Sequence, residues 1–199
     1  MTDWINRTVR QLPNWAVYLI GMMPIPYLFW QGLNGALGPD PVKALEHAYG
    51  LWALNLLIAG LAVTPLRRHG GINLLKFRRA LGLLAFAYVV AHLSVWAVLD
   101  VQSPGRVWAD ILKRPYVTIG MAAFVLMLPL ALTSNNASLR RLGRGWRRLH
   151  RLTYAVVLLG AVHFIMLVKG FPLQPLIYLA VVCVLLVLRL KLPTRVRLA

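Results

Sequence analysis

The sequence predicts an all-α polytopic membrane protein, built as a bundle of six transmembrane helices. Hydrophobic residues make up 59% of the chain and charged residues only 14%, and the mean hydropathy is +0.67, outside the range of soluble domains. Six apolar runs are each close to the ~20 residues that a helix needs to cross a bilayer. None contains Asp, Glu, Lys or Arg, apart from Arg189 at the end of the sixth run. A transmembrane barrel would show shorter alternating segments instead.

The predicted helices span, in chain order, residues 14–32, 48–66, 80–99, 116–133, 152–168 and 175–190. The first run is too long for a cleaved signal peptide and contains Pro24 and Pro26, so it is predicted to remain as the first helix. The connections are short, and no linker, repeat or low-complexity tract interrupts the chain. Residues 1–199 are therefore predicted to form a single domain.

The basic residues are distributed unequally between the two sides of the membrane. With the N-terminus inside, the inner segments carry 17 of the 22 Lys and Arg residues, namely Arg7, Arg10, Arg67, Arg68, Lys76, Arg78, Arg79, Arg140, Arg141, Arg144, Arg147, Arg148, Arg151, Arg189, Lys191, Arg195 and Arg197. The outer segments carry Lys43, Arg106, Lys113, Arg114 and Lys169, together with the acids Asp40, Glu46, Asp100 and Asp110. The positive-inside rule thus predicts that both termini are cytoplasmic. Topology and attraction to anionic lipid explain the charge better than nucleic-acid binding does.

Two histidines are predicted to lie at the same depth in the bilayer. Helices three and five both run from inside to outside, and His92 and His163 lie 12 residues past Ala80 and Arg151 respectively. Each is therefore ~18 Å from the cytoplasmic edge, at 1.5 Å per residue. Two neutral imidazoles at one depth match the axial ligands of a six-coordinate haem iron. The alternative for either histidine alone is a hydrogen-bonded contact between helices.

The remaining histidines have other predicted roles. His150, at the inner edge of helix five and ~19 Å nearer the cytoplasm than His163, is either an interfacial residue or part of a different site. His47, at the outer mouth of helix two, is either a helix-end hydrogen-bonding residue or a docking or quinone contact. His69 is interpreted as a loop residue. A zinc site is disfavoured because no His-x₃-His pair, cysteine or carboxylate accompanies these histidines. The residues alone thus predict a haem-binding helical bundle.

A series of motifs along the chain resembles the MsrQ (YedZ) family. The motifs occur in order, from about Gly38 to Arg189, as GPDPVKALEH, TPLRR, FRRALGL, AHL, RPYVTIG, LTSN, LGRGWRRLHRLTY, VHF and QPLIYLAVV. Members of this family are haem-bearing subunits of a bacterial methionine sulfoxide reductase system, within the ferric-reductase-like transmembrane superfamily. The match covers nearly the whole chain.

The resemblance implies a function and a set of cofactors. It implies that His92, His150 and His163 are haem-associated, that the protein carries haem b and FMN, and that it lies in the bacterial inner membrane. It further implies electron transfer from the quinone pool to a periplasmic molybdopterin partner, MsrP, which reduces oxidised methionines. The chain would then be the electron-transfer subunit and not the catalytic one. The rival function is a non-redox transporter or assembly factor whose histidines relay protons.

One position departs from the superfamily pattern of two histidines on each of two helices, which hold two stacked haems. Helix three supplies only His92, and Arg78 stands where the inner ligand is expected. The partner of His150, and with it a second haem, therefore stays open. Arg78 and Arg79 are candidates to pair with haem propionates or with a phosphate.

Overall fold

A computed structural model describes residues 2–167, 170 and 173–189 of the protein. Its regular elements there are all helical, and these residues contain no strand. The helices are α1 Thr2–Gln11, α2 Asn14–Met22, α3 Pro24–Leu33, α4 Pro41–His69, α5 Arg78–Ser94, α6 Pro104–Lys113, α7 Pro115–Leu132, α8 Asn136–Leu142, α9 Arg144–Leu149, α10 Leu152–Leu167 and α11 Leu173–Val187. A 3₁₀ turn at Leu75–Phe77 precedes α5, and a π-helical segment at Val95–Val101 continues it.

Five stretches are long and apolar enough to cross a membrane. They are Asn14–Leu33, Pro41–His69, Leu75–Val101, Pro115–Leu132 and Arg144–Leu167, and the apolar α11 adds a shorter helix of 15 residues. Large apolar side chains face outward on several of them, with Ile20 69% and Leu132 75% exposed. An apolar outer surface is what lipid solvates and water does not. The protein is therefore an all-α polytopic membrane protein. Residues 168 and 190 of the predicted spans, and Lys169, Lys191, Arg195 and Arg197, lie outside the described residues.

The first predicted helix is two helices, α2 and α3, that meet at Met23. Pro24 and Pro26 have no amide hydrogen, so the helical hydrogen-bond ladder is interrupted where they enter. Two tyrosines from the neighbouring helices hold this region in place. The hydroxyl of Tyr49 donates to the carbonyl of Ile25 at 2.6 Å, and that of Tyr88 donates to the carbonyl of Gly21 at 2.8 Å.

The second span, α4, is longer at both ends than hydropathy predicts. It begins after Asp40, whose carboxylate accepts the amide of Lys43 at 3.2 Å as an N-cap. Near its end α4 contains Pro65, which cannot donate to the carbonyl of Leu61 one turn earlier. The Nε of Arg189 donates to that carbonyl instead, at 2.9 Å. The one charged residue within the predicted spans thus replaces a missing backbone donor.

Hydropathy does not predict the polar or short helices α1, α6, α8 and α9. The N-terminal α1 packs against the loop after α4, where Asn6 donates to the carbonyl of Gly71 at 2.9 Å. Lys76 donates to the carbonyls of Arg10 and Leu12 at 3.0 and 2.7 Å. These carbonyls lie at the C-terminal end of α1, where helix carbonyls lack intrahelical donors. The α1 helix is therefore anchored by the side chain of Lys76 and by main-chain groups of the α4–α5 loop that bind Asn6.

The core joins two helical pairs, α4 with α5 and α7 with α10. The pairs also meet through contacts of α4 with α10 and α5 with α7, while α11 packs on α4 and α10. The central cluster of buried residues is Leu57, Leu61, Ala85, Met127, Val156, Val157, Ala161 and Val182. The space between the two pairs continues beyond this cluster as a cavity.

Candidate functional site

A cavity of about 140 Å³ lies between the two helical pairs and extends along α4 from Glu46 to Leu57. Its walls are largely apolar and include Phe124 and Met127 of α7. Both His92 and His163 line this cavity, so the structure brings these two predicted residues together.

The ring of His92, on α5, is fixed by a main-chain atom of α4. Its Nδ1 lies 2.8 Å from the carbonyl oxygen of Glu46. A carbonyl only accepts hydrogen bonds, so Nδ1 carries the proton and donates it. In a neutral imidazole the other nitrogen, Nε2, then keeps its lone pair. His92 could therefore bind a metal ion through Nε2.

His163, on α10, is held in the same way by α7. Its Nδ1 lies 2.7 Å from the carbonyl oxygen of Tyr116, which again assigns the proton to Nδ1 and the lone pair to Nε2. The centres of the His92 and His163 rings are 6.3 Å apart, and the ring planes cross at 84°. Donation of the second nitrogen to a carbonyl is the common support of metal-bound histidines.

The distance between these ring centres matches the spacing expected for two imidazoles on one iron ion. A metal–nitrogen bond of about 2.0 Å, and about 1.2 Å from that nitrogen to the ring centre, would separate two opposed imidazole centres by about 6.4 Å. Among the residues that the structure describes, no group of three or more His, Cys, Asp or Glu side chains is arranged to hold a metal ion. Equatorial ligands would therefore have to come from the cofactor, as they do from a porphyrin.

His47 lines the same cavity as the histidine pair. It is exposed, and its ring centre is 5.7 Å from that of Phe164. Glu46 precedes it and also lines the cavity. A molecule that enters the cavity beside Glu46 would therefore contact His47. This position is compatible with the predicted quinone or docking contact.

His150 lies apart from the cavity, at a different junction. It lies at the end of α9, where a short turn at His150 and Arg151 joins α9 to α10 within the membrane-spanning stretch Arg144–Leu167. Its Nε2 is 3.1 Å from the hydroxyl of Thr133, which itself donates to the carbonyl of Pro129 at 2.6 Å. Because the hydroxyl hydrogen of Thr133 is engaged by the carbonyl of Pro129, the Nε2 of His150 must be the donor in the hydrogen bond between His150 and Thr133. The lone pair of His150 is therefore on Nδ1, the reverse of the cavity histidines.

Trp146 and two arginines complete the surroundings of His150. The Trp146 ring stacks on it with centres 3.8 Å apart, and its indole nitrogen donates to the carbonyl of Thr133 at 2.8 Å. The positive charges of Arg78 and Arg79 act on the His150 imidazole, and Arg79 donates to the side chain of Asn136 at 2.8 Å. The structure thus gathers His150, Arg78 and Arg79 into a second, basic cluster.

Sequence reasoning missed the groups that orient the histidines. The Glu46 and Tyr116 carbonyls act through the main chain, which gives no signal in residue type. Thr133 and Trp146 become neighbours of His150 only through the turns between α7 and α10. One signal was available in the sequence: a glycine follows each of the two carbonyl residues by four positions, Gly50 and Gly120.

Comparison with known proteins gives a consistent family. Residues 47–161 match the family described as ferric reductase like transmembrane component. A protein-methionine-sulfoxide reductase heme-binding subunit MsrQ from Brucella anthropi is 49% identical over 191 residues, which cover 94% of this chain and 87% of the relative. Proteins with the same name from Brucella ovis and Brucella canis are 50% identical over 180 residues, 90% of this chain and 82% of theirs. With identity at this level over nearly its whole length, the chain belongs to the MsrQ family and contains a ferric-reductase-like transmembrane component.

Proposed function

We propose that this protein is a haem b electron-transfer subunit of the bacterial inner membrane, organised as one domain. It would take electrons from the quinone pool and pass them to a periplasmic molybdopterin methionine sulfoxide reductase, MsrP, for the repair of oxidised periplasmic proteins. The name of the Brucella relatives, heme-binding subunits of protein-methionine-sulfoxide reductase, supports both the haem and the partner.

The observation that carries this proposal is the pair of histidines in the apolar cavity. His92 and His163 would hold the iron through their Nε2 atoms, since both Nδ1 atoms are engaged by carbonyls. A haem bound there supplies a one-electron carrier within the membrane. The surrounding apolar side chains exclude water from it, and their low polarity is one of the factors that set its reduction potential.

The cluster at His150 is proposed as the site of an inner relay. His150 would help to hold a second haem or the FMN, with Arg78 and Arg79 pairing with propionates or a phosphate. Because the Nε2 of His150 donates to Thr133, a metal ion could use Nδ1 or would require the ring to turn. The FMN is proposed from the resemblance and the basic character of this cluster.

The orientation is proposed from the charges, with both termini in the cytoplasm. This places the basic cluster near the inner face and the cavity with His47 toward the outer face. His47 would then contact the quinone or the periplasmic partner. An electron entering at the inner face would leave the protein on the side of the cavity.

A visible absorption spectrum of the purified protein, made with ample haem, tests the proposal. We expect b-type bands that sharpen on reduction by a chemical reductant, with at least one haem per chain by pyridine haemochrome assay. A protein that is folded and haem-free under these conditions would contradict the proposal and favour the non-redox transporter or assembly factor.

A further inference from the structure

The ring of His92 occupies the space that a side chain on Gly50 would need. Gly50 lies one turn after Glu46 in α4, so its amide is the regular helical donor to the Glu46 carbonyl. That oxygen has a second lone pair, which accepts Nδ1 of His92. A Cβ atom on Gly50 would lie 3.2 Å from Nδ1 and 3.3 Å from Cε1 of His92. His92 can reach the Glu46 carbonyl because Gly50 has no side chain in the space between them.

His163 repeats this arrangement on the other helical pair, with a closer approach. Gly120 lies one turn after Tyr116 in α7, and the Tyr116 carbonyl accepts Nδ1 of His163. A Cβ atom on Gly120 would lie 2.9 Å from Nδ1 and 3.0 Å from Cε1 of His163. At that distance the ring must move, because carbon and nitrogen atoms in ordinary van der Waals contact are ~3.5 Å or more apart.

Each ring plane is thus set by its own supporting helix. Two contacts constrain each imidazole: a hydrogen bond at Nδ1 and the glycine surface along the edge from Nδ1 to Cε1. The two supports belong to different helices, α4 and α7, and the planes they impose cross at 84°. The relative orientation of the rings is therefore built into the helix packing.

We propose that Gly50 and Gly120 are positioning residues for the haem of the cavity. Their missing side chains let His92 and His163 dock on main-chain carbonyls with nearly perpendicular ring planes. This inference rests on the proposed function, because it needs a haem between the two histidines. The relative orientation of axial imidazoles affects the electronic structure of ferric haem, so the proposal predicts a spectroscopic signature.

The test compares four variants by haem affinity and by electron paramagnetic resonance of the ferric protein. Gly120→Ala and Gly50→Ala add a methyl group against the histidines. Gly60→Ala, on α4, and Gly82→Ala, on α5, add the same group where the nearest atom is 3.9 Å away or where none lies within 4 Å. Alanine favours helices more than glycine does, so weakened helices cannot explain a defect in the first two variants.

We expect the wild-type protein to give the highly anisotropic low-spin signal of perpendicular imidazole planes. Gly120→Ala should change this signal and lower haem affinity by about 10- to 100-fold, the usual effect of losing a supporting group around a metal ligand. Gly50→Ala should change the same quantities less, because its predicted contact is less severe. Both control variants should resemble the wild type in signal and affinity.

Two results would overturn the inference while leaving the proposed function intact. One is a haem-loaded wild type with the rhombic signal of parallel imidazole planes. The other is a wild-type signal and affinity in both Gly120→Ala and Gly50→Ala. If Gly120→Ala fails to fold, as judged by helix content, the milder Gly50→Ala decides the question. A wild type that binds no haem refutes the proposed function instead, and the inference with it.

The same geometry predicts that the hydroxyl of Tyr116 is dispensable for holding His163. The acceptor is the main-chain carbonyl, and the Tyr116 hydroxyl is engaged elsewhere, with Arg114 at 3.0 Å. Tyr116→Phe in the same experiment should therefore keep the wild-type signal and haem affinity. A loss comparable with that of Gly120→Ala would contradict the carbonyl as the positioning group.

Discussion

At the scale of single residues, the chemistry of each histidine depends on the one atom that its ring nitrogen faces. His92 and His163 face carbonyl oxygens with Nδ1, so Nε2 of each is free to bind a metal ion. The Nε2 of His150 faces the hydroxyl of Thr133, and that hydroxyl already donates a hydrogen bond to the carbonyl of Pro129. The three histidines therefore differ in the nitrogen that keeps its lone pair: Nε2 in His92 and His163, and Nδ1 in His150.

Replacing either cavity histidine should remove the same haem. In His92→Ala and His163→Ala proteins a single remaining imidazole would hold the iron, and ligation by one side chain is weaker than by two. We expect each variant to lose the same b-type band and its share of the haem in a pyridine haemochrome assay. His69→Ala, a change at the exposed end of α4, serves as the control. Full haem content in either cavity variant would contradict the pairing.

Sequence reasoning placed His92 and His163 at one depth because regular helices turn sequence spacing into height. It could not assign their nitrogens, since the acceptors are backbone atoms of other helices. It also could not predict the contacts of His150 with Thr133 and Trp146, because the turn between α9 and α10 gives no signal in residue spacing. The ligand roles of all three histidines stay predictions.

At the scale of helices, hydropathy located the apolar spans, but backbone chemistry determined their ends and breaks. The prolines at the break between α2 and α3 can be read from the sequence. The extension of α4 depends instead on the N-cap Asp40 and on Arg189, which replaces the donor missing at Pro65. Arg189 donates to the carbonyl of Leu61, to that of Gly60 at 3.3 Å and to the hydroxyl of Tyr154 at 3.2 Å. Arg189 is 128 residues away from Leu61 in the sequence, so no local sequence pattern indicates this contact.

A double-mutant cycle measures this compensation. Arg189→Ala should lower the free energy of unfolding in detergent by about 1–3 kcal/mol, because the buried carbonyl of Leu61 loses its donor. In a Pro65→Ala background the restored amide at position 65 can donate to that carbonyl, so Arg189→Ala should there have a smaller effect. Equal effects in both backgrounds would show that Arg189 stabilises the protein only through Tyr154 and Gly60.

At the scale of the whole molecule, the cavity and the His150 cluster are separate sites. The cavity lies between the two helical pairs, whereas His150 lies at the junction of α9 and α10, beside the start of α5. Charge placement predicts which site faces the cytoplasm, since His150 lies within the arginine-rich segment 140–151. In the proposed function, electrons would cross much of ~30 Å of low-dielectric membrane to reach the periplasm, and side chains do not carry them without a cofactor. Two sites at different depths would divide that distance.

Replacing His150 should therefore separate haem binding from haem reduction. In a His150→Ala protein the cavity is untouched, so we expect its haem to remain bound and to be reduced at the wild-type rate by a small chemical reductant. Reduction of the same haem by reduced flavin, or by quinol that binds at the inner face, should be strongly slowed, because the inner relay would have lost a supporting side chain. Stopped-flow absorbance at the b-type band measures both rates in one preparation, with His69→Ala as the matched control. Wild-type rates with quinol and with flavin in His150→Ala would identify His150 as a structural residue, stacked on Trp146 and bonded to Thr133 at the junction of α9 and α10.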